Sequence, residues 1–324
     1  MQQDPGAPEQ IREIATRIID QVERVIIGKR AVIQQVVVAI LCEGHVLLED
    51  VPGIGKTMLA RSIAASLGGD FGRVQFTPDL LPTDITGSLV FDPRSAEFTY
   101  RQGPIVTNVL LADEINRAGP RTQSALLEAM EERQVTVERE RISMPRPFFV
   151  LATQNPVELE GTFPLPEAQL DRFLMRITIG YPARDEERLM LRRFRSDTPL
   201  EQLRAVTTPE ELLRLIRSVR NQHIGVAVED YLLDLVRRTR QHDTIEVGAS
   251  PRAALALARA AQARAAIAGR PYVIPDDVRE MAEVVLAHRL LPTAQADLLG
   301  QSNLEIVRAV IADTPVPVES ADVA

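Results

Sequence analysis

The stretch His45–Thr57, HVLLEDVPGIGKT, decides how the rest of the chain is read. Its first half is a short apolar run without polar alternation, the pattern of a strand buried on both faces of a parallel sheet. Its second half places Gly53 and Gly55 in VPGIGKT, and the helical pattern Met58–Leu67 follows at once. Strand, glycine loop and helix form the opening unit of a parallel α/β sheet. The glycines have a chemical use there, because successive backbone N–H groups can turn around an anion only where no side chain blocks the approach. Lys56 then offers a point charge to the β and γ phosphates, the Thr57 hydroxyl a ligand for Mg2+, and the helix its positive dipole end. The expected ATP-binding segment is therefore Asp50, Val51, Pro52, Gly53, Ile54, Gly55, Lys56 and Thr57, with Met58 opening the helix. Asp50 departs from the usual pattern, which begins on glycine. Of 37 basic residues only Lys29 and Lys56 are lysines. A compact ammonium at Lys56 stands out in a chain that otherwise uses arginine.

Downstream, NVLLADEINRA reads as an apolar strand that delivers two acids to its C-terminal edge, where open α/β sheets bind ligands. Asp113 is the expected Mg2+ partner, held through the ion's water shell, and Glu114 the general base for an attacking water. FFVLATQNP repeats the pattern and ends on Asn155, which either contacts the γ-phosphate or turns the chain before Pro156. In LPEAQLDRF, Arg172 either reaches the nucleotide of a neighbouring subunit or pairs with Asp171 or Glu167. GASPRAALALA starts a helix at Pro251 with Ser250 as its cap. Arg252 in its first turn lacks support from the dipole, so it has an anionic partner, either a ligand or a salt bridge.

Further strands are expected at Arg73–Phe76, Val106–Ala112, Phe148–Ala152 and Met175–Ile179, with helices over Ile11–Val25 and Ala31–Cys42. SLVFDPRSAEFTY and QVTVERERISMP read as hairpins, with surface loops as the other reading. After Tyr181–Pro182 the chain turns Leu-, Ala- and Arg-rich and helical to about Ile311. The expected division is a nucleotide-binding core over 1–184, an all-α domain over 185–312 and a disordered tail over 313–324. The fold class is an α/β P-loop core with a parallel sheet, hairpin insertions and a helical appendage. The net charge of −8 argues against a general nucleic-acid binder, and no apolar run is long enough to span a bilayer. The start shows no secretory signal and a lone cysteine, Cys42, expected in a core, fits a reducing cytoplasm.

Together, HVLLEDVPGIGKT, QFTPDLLPTDITGS, LLADEINRAGPRTQSALLEAMEERQVTV, LATQNPVELEGTFPLPEAQLDRF and GASPRAALALARA resemble the AAA+ ATPases, and within them the MoxR family. The resemblance runs from about Ile26 to beyond Ala260 and implies an ATP-hydrolysing core, a helical lid and a ring, usually of six subunits. It gives Lys56, Thr57, Asp113 and Glu114 the Walker roles, Asn155 the first sensor, Arg172 the arginine finger in trans, and Arg252 the second sensor. It implies chaperone-like remodelling of partner proteins, which often carry von Willebrand factor A domains. Two other readings compete: a nucleotide-regulated binding protein with little turnover, and a helicase-like DNA remodeller whose hairpins would grip nucleic acid. The mixed-charge tip ERER of the second hairpin does not favour the latter.

Overall fold

A computed structural model describes residues 7–94, 96–138, 140–156, 161–195 and 199–317. Residues 318–324 of the expected tail and Arg139 of the expected hairpin tip lie outside them. In chain order the first elements are α1 (Ala7–Glu23), α2 (Arg30–Leu41), β1 (Val46–Glu49), α3 (Lys56–Leu67), β2 (Phe71–Gln75) and α4 (Pro82–Thr86). Then come β3 (Gly87–Asp92), β4 (Glu97–Gln102), β5 (Val109–Asp113), α5 (Pro120–Glu132), β6 (Gln134–Val137), β7 (Glu140–Ser143) and β8 (Phe149–Gln154). Next are α6 (Glu167–Leu170), β9 (Met175–Ile177), α7 (Arg184–Arg193), α8 (Pro209–Val219) and α9 (Val226–Thr239). The chain closes with β10 (Ile245–Val247), α10 (Pro251–Ile267), α11 (Pro275–Leu286), β11 (Leu291–Pro292), α12 (Ala294–Leu298) and α13 (Asn303–Asp313). Contacts divide these into two units. One holds Ile14–Phe173 with Ile177–Arg214; the other holds the described residues up to Glu13, Leu174–Arg176 and those from Leu215 on.

The first unit is built on the strands β2-β5-β8-β1, which run parallel in that order. Parallel register brings Gln75 opposite Asp113 and Glu49 opposite Gln154, so their strand ends share one edge. Leu47, Leu48, Leu110, Leu111, Val150 and Leu151 are buried, which is why the strands read as unbroken apolar runs. β2 starts at Phe71, earlier than Arg73, and β5 at Val109, later than Val106. Val106 and Thr107 are spent in turns, donating their N–H groups to Gly103 and Ile105, and Val109 N–H donates to Asp70. Both hairpins form: β3 pairs β4 from Gly87↔Gln102 to Asp92↔Glu97, and β6 pairs β7 from Gln134↔Ser143 to Val137↔Glu140. Cys42 lies half-buried at the C-terminal end of α2 rather than in the core, because the helix ends there.

The second unit is helical. α9, α10, α11 and α13 pack through Leu232, Leu235, Val236, Leu257, Val278, Met281, Val285 and Val307, all buried. Alanines on α10 (Ala253, Ala260, Ala261, Ala265) are fully buried and let helices approach closely. Arg270 grips the buried Asp277 with two bonds, Nη1 to Oδ2 at 2.8 Å and Nη2 to Oδ1 at 2.6 Å. The same carboxylate accepts the Ile274 N–H and so caps α11. One feature escaped the sequence: β10 pairs antiparallel with β11, a strand too short to show a pattern.

Candidate functional site

The phosphate loop leaves β1 at Asp50 and ends where α3 begins. Gly53 and Gly55 have φ of 85° and 93°, the left-handed region that other residues avoid. A Cβ on Gly53 would meet nothing within 4 Å, so glycine is required there by backbone conformation and not by crowding. Gly68, with φ of 66°, ends α3. The departure at Asp50 is explained by geometry. Its carboxylate lies buried and turned toward the protein, Oδ1 accepting the Val51 N–H at 2.9 Å and Oδ2 the Gly180 N–H at 2.6 Å. Its N–H continues the ladder to Gln154, and its carbonyl accepts the Lys56 ammonium.

Lys56 loses hydration by burial, which lowers its pKa, while Asp50, Asp113 and Glu114 act in the opposite direction through their charge. Asp113 ends β5 and Glu114 follows it directly. Thr153, fully buried on β8, ties the acids together. Its hydroxyl donates to Asp113 Oδ1 at 2.7 Å and accepts the Glu114 N–H at 2.8 Å. Arg73 donates to Asp113 Oδ2 at 2.9 Å and also to Gln75. Gln75 and Arg117 donate to Glu114 Oε2 at 2.9 and 3.2 Å. Glu114 itself sits at φ 58°, a strained position for a residue with a side chain. Arg73, Gln75, Arg117 and Thr153 were all missed from the sequence. Thr153 carried a signal: it is the first polar residue at the end of an otherwise apolar strand.

Asn155 is buried directly after β8, at the same sheet edge as Asp113. Arg172 faces Glu131 of α5 at 3.3 Å, a partner on another element. Arg252 belongs to the helical unit, exposed in the first turn of α10 after the Ser250 cap, whose hydroxyl accepts the Ala253 N–H. Beside the phosphate loop, within the sheet unit, a cavity of about 700 Å3 is lined by Ile26, Ile27, Lys29, Met58, Tyr181 and Phe194 among others. Its apolar walls and size suit a planar base. Lys29 lines this cavity together with the loop residues Pro52–Gly55, which lead directly into Lys56.

Residues 45–175 match the family model described as ATPase family associated with various cellular activities (AAA), and residues 237–310 match the AAA lid domain. Fold, loop and lid define a nucleotide-binding AAA+ ATPase. Chaperone MoxR1 of Mycobacterium tuberculosis is 44% identical over 94% of this chain and 83% of its own length. Protein MoxR of Paracoccus denitrificans is 34% identical, covering 90% and 93% of the two chains. The uncharacterized protein YeaC of Bacillus subtilis is 47% identical over 97% and 98%. A crystal structure from Cytophaga hutchinsonii superposes with a TM-score of 0.89 at 36% identity, covering 96% of this chain and 97% of that one. The chain belongs to the MoxR family of AAA+ ATPases. It is a chaperone-like ATPase of that type. Among the described residues no helix is long and apolar enough to cross a membrane.

Proposed function

We propose that this chain hydrolyses ATP to ADP and phosphate with Mg2+, in a ring of its own copies, and uses the cycle to remodel a partner protein in the cytoplasm. The observation that carries the hydrolytic reading is the Thr153 hydroxyl holding Asp113 and Glu114 together at the sheet edge beside Lys56. Asp113 and the Thr57 hydroxyl are oxygen donors of the hard kind Mg2+ takes. The bonds Asp113 receives from Thr153 and Arg73 suit a hold through the ion's waters. Bound there, Mg2+ would supply charge neutralisation to the β and γ phosphates.

In this reading Gly53–Gly55 turn backbone N–H groups onto the phosphates, and Lys56 exchanges the Asp50 carbonyl for phosphate oxygen. Both described bonds to Glu114 fall on Oε2, which leaves Oε1 to take a proton from the attacking water. Asn155 orients that water or the γ-phosphate from the end of β8. Arg172 leaves Glu131 for the nucleotide of the adjacent subunit, where charge develops in the transition state. Arg252 acts from the lid as second sensor. The proposed core ends at 184 and the proposed lid runs over 185–312, whereas contacts keep Ile177–Arg214 with the sheet unit; the partner is a protein, with von Willebrand factor A domains the kind implied by the resemblance. A six-membered ring is part of the proposal, since AAA+ proteins typically assemble as rings.

Glu114→Gln tests it. ATP binding is retained and phosphate release drops by about a hundredfold or more. Turnover equal to the wild type would remove Glu114 from its role and, with it, this mechanism.

A further inference from the structure

Asp50 stands where phosphate loops ordinarily carry glycine, and its carboxylate does not point at the phosphates. We propose that Asp50 and Lys29 are positioning residues that fasten one wall of the base cavity, Asp50 to the phosphate loop and Lys29 to the turn before α2, so that base and phosphates are gripped by one rigid piece.

The wall is the segment Gly180–Ala183, and it is held at three successive points. Gly180 N–H donates to Asp50 Oδ2 at 2.6 Å. The Tyr181 carbonyl accepts Lys29 Nζ at 2.8 Å. Ala183 N–H donates to Glu186 Oε2 at 2.7 Å, and this carboxylate packs under Gly28, whose added Cβ would lie 2.0 Å from Glu186 Oε1. Gly28, with φ of 74°, and Gly180, with φ of 69°, supply the two turns that bring these groups together. The held segment, Gly180 to Pro182, lines the base cavity on one side, and Pro52 to Gly55 line it on another. Asp50 therefore bonds both walls, through Val51 N–H on the loop and Gly180 N–H opposite. A glycine at position 50 could hold neither. Lys29 fixes the same wall from the turn before α2.

This inference rests on the nucleotide reading, and its test separates the two. Binding of Mg-ATP and of Mg-tripolyphosphate, which has no base, is measured by calorimetry on the full-length protein, Asp50→Asn and Lys29→Met. An asparagine keeps the size of Asp50 but turns an N–H toward one of the two donors. Loss of a charge-assisted bond at the wall predicts ATP affinity lower by about ten- to hundredfold. Tripolyphosphate affinity stays within about threefold, as the loop glycines and Lys56 remain in place. Lys29→Arg restores part of the ATP affinity, since a guanidinium can still reach the Tyr181 carbonyl. Equal losses for both ligands, or no loss for ATP, overturn the proposal. Should Asp50→Asn fail to fold, the Lys29 pair decides alone by the same ratio. A wild-type protein that binds neither ligand sinks the nucleotide reading instead.

Discussion

Replacing Thr153 by valine keeps the shape of a fully buried side chain and removes one oxygen. That oxygen makes two bonds, 2.7 Å to Asp113 Oδ1 as donor and 2.8 Å from the Glu114 N–H as acceptor. A bond to a charged carboxylate contributes about 1.5–3 kcal/mol, and a buried N–H left without an acceptor costs about 1–3 kcal/mol. The Asp113 side chain is 16% exposed, so water recovers part of the first term. The expected loss of stability is then about 3 kcal/mol, read as a lower denaturant midpoint for Thr153→Val. Hydrolysis should suffer more than binding. The loop glycines and Lys56 are untouched, while Glu114 loses the anchor of its backbone. A misplacement of about 1 Å there is enough to cost turnover about a hundredfold. Phosphate release at saturating ATP, with ATP affinity measured in parallel, checks this split. A Thr153→Val protein with the wild-type midpoint and wild-type turnover would refute the claim that this hydroxyl organises the two acids.

Action of Arg172 across subunits is tested by mixing. Lys56→Ala subunits keep the arginine, Arg172→Ala subunits keep the nucleotide site, and each alone is inactive; the mixture regains phosphate release if the finger works in trans, and stays inactive if it does not. His45 gives a pH prediction. It is buried between Met130 and Val150, with Nε2–H donating to the Met130 carbonyl and Nδ1 accepting the Val150 N–H. Burial, chiefly, lowers its pKa to about 4 from 6.5. The unfolded chain therefore binds the proton first, and stability present above pH 6.5 drains away as pH falls toward 4, by about 3 kcal/mol in all. Thermal melts from pH 7.5 to 4 should show this slope, shallower in His45→Gln; identical slopes would assign acid sensitivity elsewhere.

Much of the core was readable because parallel strands buried on both faces are written as unbroken apolar runs, and because loop glycines and paired acids keep fixed neighbours in the chain. What escaped was made by contacts between distant positions. Gln75 reaches Glu114 and Arg73 reaches Asp113 only because the register lays β2 against β5, about forty residues away. The start of β2 was hidden by Gly68–Gly69–Asp70, which reads as a break, although Phe71 and Gly72 already pair with Val109 and Leu110. Lys29 was conspicuous by composition yet had no visible role, since its partner Tyr181 comes 152 residues later. Asp50 looked like a flaw in the loop for the same reason: nothing near it in sequence discloses the Gly180 N–H that its carboxylate satisfies.

The most direct measurement is equilibrium binding of Mg-ATP to the wild type and to Lys56→Ala. The backbone turn at Gly53–Gly55 and the ammonium beside it predict one ATP per wild-type chain and an affinity at least about a hundredfold weaker in the variant. Equal binding by the two proteins would mean that the triphosphate sits elsewhere, and the account of the site would fall with it.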